Sequence, residues 1–177
     1  GKITAYSRTP DQRAEYANVV DMEADRSGNI YAITRANSAS MLWKIMQDGK
    51  VSWIAGISQA EWNAYVNSAR PVPVDGPADN ASFFATPSIS VEPDGSAVYI
   101  GGGDELRLRR FKDGRVSQLT TGGWIESQSR GAGVEIGAVA GIDNIGRIYG
   151  VKAPWRPPDQ SQWTALRMLV PSNIPIP

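Results

Sequence analysis

The 177-residue chain contains no cysteine and no histidine. Without cysteine it can form neither disulfides nor thiolate metal sites. Without histidine it lacks the commonest general base and metal ligand, so no Ser-His-Asp or Cys-His catalytic arrangement can exist. The two absences favour an extracytoplasmic setting, secreted or periplasmic, or an engineered chain.

An excess of one charge and long apolar runs are also missing. The chain has 18 basic and 18 acidic residues, so its balanced surface predicts no nucleic-acid partner. No apolar run approaches the roughly 18 residues that a bilayer-spanning helix needs. We therefore expect no membrane span.

What the chain does contain is a repeat. Three segments each have a short apolar strand, an acidic turn that closes on glycine, and an apolar residue followed by tyrosine: 19–33, 88–100 and 138–151. The aspartate caps such a turn and the glycine takes its positive φ without a steric clash. The recurring tyrosines predict one structural slot used three times, in core or inter-repeat packing, with ligand stacking as the alternative: Tyr31, Tyr99 and Tyr149.

A second hairpin follows the first in two of the repeats. Residues 42–56 turn at Asp48-Gly49, and residues 107–119 turn at Asp113-Gly114. Aspartate–glycine pairs between apolar runs are strong hairpin signals. Each complete repeat therefore predicts four antiparallel strands in meander order, which is the content of one β-propeller blade.

The segment 75–95 reads DGPADNASFFATPSISVEPDG. It resembles the NHL-repeat pattern, in which Asp-Gly, spaced alanines, a phenylalanine and a proline precede the apolar first strand and a Pro-Asp-Gly turn. Residues 108–114, LRRFKDG, resemble the third strand and turn of that family. The likeness is strongest over 75–122, weaker over 18–56 and weakest over 134–170.

The resemblance implies an all-β fold, a β-propeller made of four-stranded antiparallel blades, with three blades in this chain as half of a six-bladed ring. The expected units, in chain order, are an outer strand closing another blade at 1–6, a first blade at 18–56, an insertion or linker at 57–85, a second blade at 86–122, and a third blade at 134–170 that lacks its outer strand.

Both ends of the sequence predict that the propeller is completed from outside. Residues 1–6 read like the outer strand 49–54, and the prolines of 171–177 exclude a ladder-forming fourth strand. An open arc of three blades would expose its apolar faces. We expect either a homodimer joined head to tail, or a missing part of the propeller on another polypeptide, or a three-bladed form that stands alone.

Aromatic residues in the irregular segments are the candidate ligand-binding positions. Within the insertion, Trp62 and Tyr65 lie at helical spacing and predict a short helix over a blade edge. Trp124 lies in the glycine-rich stretch 120–133, where it either covers the core or binds a ligand. The ligand-binding candidates are Trp62, Tyr65, Trp124 and Trp155.

Charged residues offer weaker candidates. Asp21 and Glu23 alternate with apolar residues in a predicted first strand, so they could face a central channel and hold Ca²⁺ or Mg²⁺, although no cofactor is required. The acidic turn residues are more simply caps: Asp25, Asp94 and Asp143. A basic strand predicts either a solvated outer edge or a patch for an acidic partner: Arg107, Arg109, Arg110 and Lys112.

The functional expectation follows from the resemblance. NHL propellers commonly act as interaction platforms, which implies a non-catalytic binding or scaffold module holding a small ligand or a protein partner at its loops and channel mouth. Some relatives are lyases whose metal site uses histidines, and this chain has none to match. The alternative is a lyase or hydrolase that uses carboxylates or a divalent metal near the channel.

Overall fold

The computed structural model describes residues 18–37, 39–66, 75–84, 88–101, 108–119, 138–144, 146–151 and 166–169, and the structural statements concern these residues. Within them the fold is all-β, as predicted, with three antiparallel sheets and one short helix. No helix in the described part of the chain is long and apolar enough to cross a membrane.

The first sheet is an antiparallel meander. Its strands are β1 (Asn18–Ala24), β2 (Ile30–Ala36), β3 (Ala39–Ile45) and β4 (Val51–Gly56). The β1–β2 and β3–β4 turns have the predicted chemistry, since Gly28 and Gly49 adopt φ values of 77° and 85°, which cost glycine little.

The part of the chain that follows β4 contains one helix and two very short strands. These are α1 (Gln59–Val66), β5 (Gly76–Pro77) and β6 (Phe83–Phe84). A capping box starts the helix, because the Glu61 carboxylate accepts the N–H of Ser58 at 2.7 Å while the Ser58 hydroxyl accepts the N–H of Glu61 at 3.3 Å. Strand β6 pairs with β3, so this part of the expected insertion belongs to the first sheet.

The second sheet has the same meander order. Its strands are β7 (Ser88–Val91), β8 (Ala97–Gly101), β9 (Arg109–Lys112) and β10 (Arg115–Gln118). Strand β5 pairs with β10 and adds a fifth strand at the outer edge. The segment expected to be a linker is therefore shared between the two sheets.

The third sheet has three strands in the part of the chain that is described. These are β11 (Ala138–Ile142), β12 (Ile148–Val151) and β13 (Leu166–Leu169), in that order. The expected outer strand at 1–6 and the segment 171–177 lie outside the described residues.

The three repeats occupy equivalent positions in their sheets. In each first hairpin the repeated tyrosine pairs with one residue of the first strand: Glu23 with Tyr31, Ser90 with Tyr99, and Gly141 with Tyr149. The sequence repeat is thus a repeat of strand register as well.

The main hydrophobic core lies between the first two sheets and includes the segment that joins them. Its buried members are Tyr31, Ile33, Leu42, Ala55, Ala81, Phe83, Ile89, Val91, Val98, Ile100 and Val116. A second cluster joins the second and third sheets: Ala97, Tyr99, Leu108, Val139 and Ile148. Since apolar burial is the dominant favourable contribution to folding, each sheet is stabilised mainly by its neighbour.

Candidate functional site

The three repeated turns meet at one edge of the described structure. The N–H of Arg26 in the first turn donates to the carbonyl oxygen of Pro93 in the second turn at 2.8 Å. An open cleft of about 520 Å³ lies at this edge, which we call the turn-edge cleft. Its lining comes from all three turns: Arg26, Ser27, Glu92, Pro93, Asp94, Asp143, Asn144 and Gly146.

The first turn is built around Asp25, which is buried and does not belong to the lining of the cleft. Its carboxylate accepts the backbone N–H of Asn29 at 2.9 Å and the side-chain amide of Asn29 at 2.8 Å. Burial by itself would raise the pKa of Asp25, but the hydrogen bonds from Asn29 and the charge of Lys44 outweigh it. The pKa of Asp25 is therefore lowered from its ordinary value.

The second turn supplies two carboxylates. Glu92 accepts a hydrogen bond from the hydroxyl of Tyr99 at 2.7 Å and another from the hydroxyl of Ser96. Asp94 accepts the N–H of Ser96 at 2.9 Å, and this bond lowers the pKa of Asp94. Burial, followed by the contact with Glu92, raises the pKa of Tyr99.

The third turn is held by an ion pair. The Asp143 carboxylate lies 2.5 Å from the Arg147 guanidinium and also accepts the hydroxyl of Tyr149 at 3.2 Å. Hydrogen bonding to Asp143 raises the pKa of Arg147. All three repeated tyrosines thus bond to this edge, because the hydroxyl of Tyr31 donates to the carbonyl oxygen of Gly95 at 3.2 Å.

The charge of the lining is mainly acidic. Three carboxylates and one guanidinium contribute to it: Glu92, Asp94, Asp143 and Arg26. Their hydrogen bonds within the turns hold the carboxylates in place, so they can attract a cationic group without being reorganised. In the described ranges no group of three or more acidic side chains is arranged to hold a metal ion.

Asp21 and Glu23, the candidates for a metal site, link the first two sheets instead. The Asp21 carboxylate accepts the N–H of Ile89 at 2.9 Å, and the Glu23 carboxylate accepts the N–H of Val91 at 2.7 Å. Both donors belong to β7, the first strand of the second sheet. These bonds give each side chain a structural role, and the calcium or magnesium ion considered from sequence stays a prediction.

The aromatic candidates are not brought together by the described residues. Trp62 is 4% exposed and packs with Ala39 and Ile57 under the first sheet, so its ring contributes to the core. Tyr65 lies in the same helix, and its side chain is outside the described part. Trp124 and Trp155 lie outside the described residues altogether.

Arg109 differs from the expectation for a solvated basic strand or a patch for an acidic partner. It is 4% exposed, and its guanidinium lies 2.7 Å from the Asp75 carboxylate and 5.1 Å from the centre of the Phe83 ring. The guanidinium also donates to the carbonyl oxygen of Ser82. Its role is therefore to hold the segment 75–84 against the second sheet. Arg107 lies outside the described residues.

The turn-edge cleft was missed as a site from sequence, although its signal was present. The acidic turn recurs at one register position in three repeats. When hairpins of equal register stack side by side, their turns come to the same edge. In the sequence alone, each turn residue is recognisable only as a separate cap.

Comparisons with known proteins add little about activity. No protein-family model matches the chain, and no curated protein matches it. It is similar to a crystal structure from Bacteroides thetaiotaomicron VPI-5482, described as a structural genomics protein of unknown function, with 23% identity and a TM-score of 0.50. The match covers 72% of this chain and 30% of that one, so the chain spans less than a third of that protein's length. Likeness at this level concerns the fold alone.

Proposed function

We propose that this chain is a non-catalytic binding module built from β-propeller blades, and that its turn-edge cleft takes a cationic side chain of a protein partner. The observation that carries the proposal is a cleft of about 520 Å³ lined by the turns of three successive sheets. Concave sites with a few fixed polar groups are where proteins most often bind ligands.

The arrangement of the sheets supports the propeller part of the proposal. Strand β7 contacts both β1 and β11, so the first strands of the three sheets lie side by side. Each sheet also runs in simple meander order. Blades of a propeller share these two properties.

The chemistry of the lining supports a cationic group as ligand. Glu92 and Asp94 outnumber Arg26, whereas Asp143 is already paired with Arg147, and the bond from the Ser96 N–H holds the pKa of Asp94 below its ordinary value. Each of the three carboxylates already accepts at least one hydrogen bond. These bonds fix the carboxylates in position, which favours electrostatic binding of a cationic group.

The test compares two aspartates that cap their turns identically. Ser96 N–H donates to Asp94 at 2.9 Å, and Lys50 N–H donates to Asp48 at 2.9 Å, but only Asp94 lines the cleft. Peptides with a single arginine or lysine, and matched glutamine peptides, are titrated while the amide signals of Gly95 and Gly146 are followed by NMR. We expect Asp94→Asn to weaken binding of the basic peptides about threefold, as for an exposed ion pair, and Asp48→Asn to leave it unchanged.

Salt provides the second arm of this test. Raising the ionic strength to about 1 M shortens the Debye length to about 3 Å and should weaken the binding further. Equal binding of the glutamine peptides, or equal effects of Asp94→Asn and Asp48→Asn, would contradict the proposal.

A further inference from the structure

The contact between the first and second sheets is repeated between the second and third. Just as Asp21 accepts the N–H of Ile89, the hydroxyl of Ser88 accepts the N–H of Val139 at 2.8 Å. Asp21 and Ser88 are equivalent, because each pairs with the residue two positions after the repeated tyrosine. At both junctions, the side chain at the same position of the first strand therefore accepts a hydrogen bond from the next sheet.

In the first sheet, the surface that corresponds to the side of β7 packed against its preceding sheet is apolar and exposed. Val19 and Met22 are 56% and 62% exposed, and Val20 is also exposed. Ile89 is the equivalent of Met22 in the second sheet, and it is buried against the first sheet at 4% exposure. The surface that is covered in the second sheet is thus open in the first.

At the other end the third sheet has an open position. Gly141 is the equivalent of Glu23 and Ser90, since all three pair with the repeated tyrosine. Ser90 is fully buried, whereas a Cβ added at Gly141 would meet no atom of the described residues within 4 Å. Ser90 lies on the face of the second sheet that packs against the third sheet. The corresponding face of the third sheet is therefore not covered at Gly141 by any described residue.

We infer that these two surfaces bind each other in a second copy of the chain, head to tail, so that β11 of one copy lies against β1 of its partner. Heterologous contacts of this kind form closed rings when the rotation between copies allows it. Two copies would place their six described sheets in one ring, which is within the range of known propellers.

The hydrogen-bonding groups fit a second copy in particular. At the internal junctions an acidic or hydroxyl side chain must accept an N–H from the next sheet. At the proposed junction no such acceptor is needed at Met22, because its N–H already donates to the Asp21 carboxylate at 2.9 Å. The third sheet correspondingly carries Ala138 and Gly141 where the first carries Asp21 and Glu23.

The first test measures the mass of the chain in solution by sedimentation equilibrium. The wild type should have about twice its monomer mass of 19.1 kDa. Met22→Lys should shift the chain towards monomer and raise the dissociation constant of the dimer at least tenfold, because it removes an apolar side chain from each junction. Met22→Leu and Ala64→Lys, the latter adding the same charge on the exposed side of α1, should both remain dimeric.

A second variant distinguishes this junction from a symmetric pairing of first sheets. Gly141→Arg enters open space in the single chain, so the fold should persist by circular dichroism while dimerisation is lost. A one-to-one mixture of Met22→Lys and Gly141→Arg restores one of the two junctions and places both substitutions in the other, so it should dimerise more weakly than the wild type.

Two results would overturn the inference: a folded monomeric wild type at about 100 µM, or a dimeric Gly141→Arg variant. Neither of them bears on what occupies the turn-edge cleft, which the peptide titration tests separately.

Discussion

At the scale of single residues, Gly95 lies where the turns of the first two sheets touch. A Cβ at this position would come within 2.6 Å of the Asp25 carboxylate and 2.9 Å of the Tyr31 hydroxyl. Gly114 is a matched glycine, because its φ of 70° is close to the 73° of Gly95 and its Cβ would meet nothing within 4 Å. The two positions thus separate backbone strain from steric overlap.

The resulting prediction concerns Gly95→Ala and Gly114→Ala. We expect Gly114→Ala to lower the free energy of unfolding by about 1 kcal/mol, the cost of a left-handed φ. Gly95→Ala should cost about 3 kcal/mol, because overpacking adds to that strain. Urea denaturation measures both, and equal losses would show that the two turns do not press against each other.

Asp25 gives a pH-dependent prediction at the same scale. Its folded pKa lies below the unfolded value of about 3.9, so it stabilises the fold above pH 4, and this stabilisation is lost as the pH falls through the folded pKa. Asp25→Asn should lower the free energy of unfolding at pH 7 by about 1.5 kcal/mol and reduce the difference between pH 7 and pH 3. The exposed turn residue Asp79, changed to Asn, serves as control, and an unchanged acid dependence in Asp25→Asn would contradict this assignment.

At the scale of elements, the segment that carries β5 and β6 joins the first two sheets, and Arg109 holds it to the second. Besides its ion pair with Arg109, the Asp75 carboxylate accepts the N–H of Gln118 at 2.7 Å. The carbonyl oxygen of Ala78 accepts the N–H of Gly56 at 3.2 Å. The segment 75–84 is therefore bonded to the second sheet through Asp75 and to the first through Ala78.

Arg109→Lys tests this fastening. Lysine cannot reach Asp75 and Ser82 together as a planar guanidinium does, so we expect a loss of about 2 kcal/mol in the free energy of unfolding. Arg115→Lys, at an exposed position of β10, should change it little. If both substitutions have the same small effect in urea denaturation, Arg109 does not hold the segment.

At the scale of the whole molecule, the sheets depend on each other for their cores. The main cluster takes residues from the first sheet, the second sheet and the segment between them. A cluster divided in this way favours unfolding of the two sheets as one cooperative unit. The same dependence underlies the inferred dimer, since an uncovered first sheet leaves Val19 and Met22 in water.

Local chemistry was sufficient for much of the fold. The strands and turns of each repeat follow from Asp-Gly turns and apolar alternation within a few residues, and the helix follows from the spacing of Trp62 and Tyr65. Ser58 and Glu61 also marked its beginning, although the sequence interpretation did not use them. These features involve neighbours along the chain, which is why their residue types alone specify them.

The tertiary structure decided which side chains are available for function. Asp21 and Glu23 are predicted channel carboxylates from sequence, and the packed sheets add a bond that the sequence does not show, since each accepts an N–H from a residue 68 positions away. Arg109 looks like part of a solvated strand, yet it is buried against Asp75, 34 positions away. The turn-edge cleft arises in the same way, because the sheets must stack before three turns can share an edge. Turn and strand chemistry acts between neighbours in sequence, whereas burial and pairing depend on contacts that only the packed sheets create.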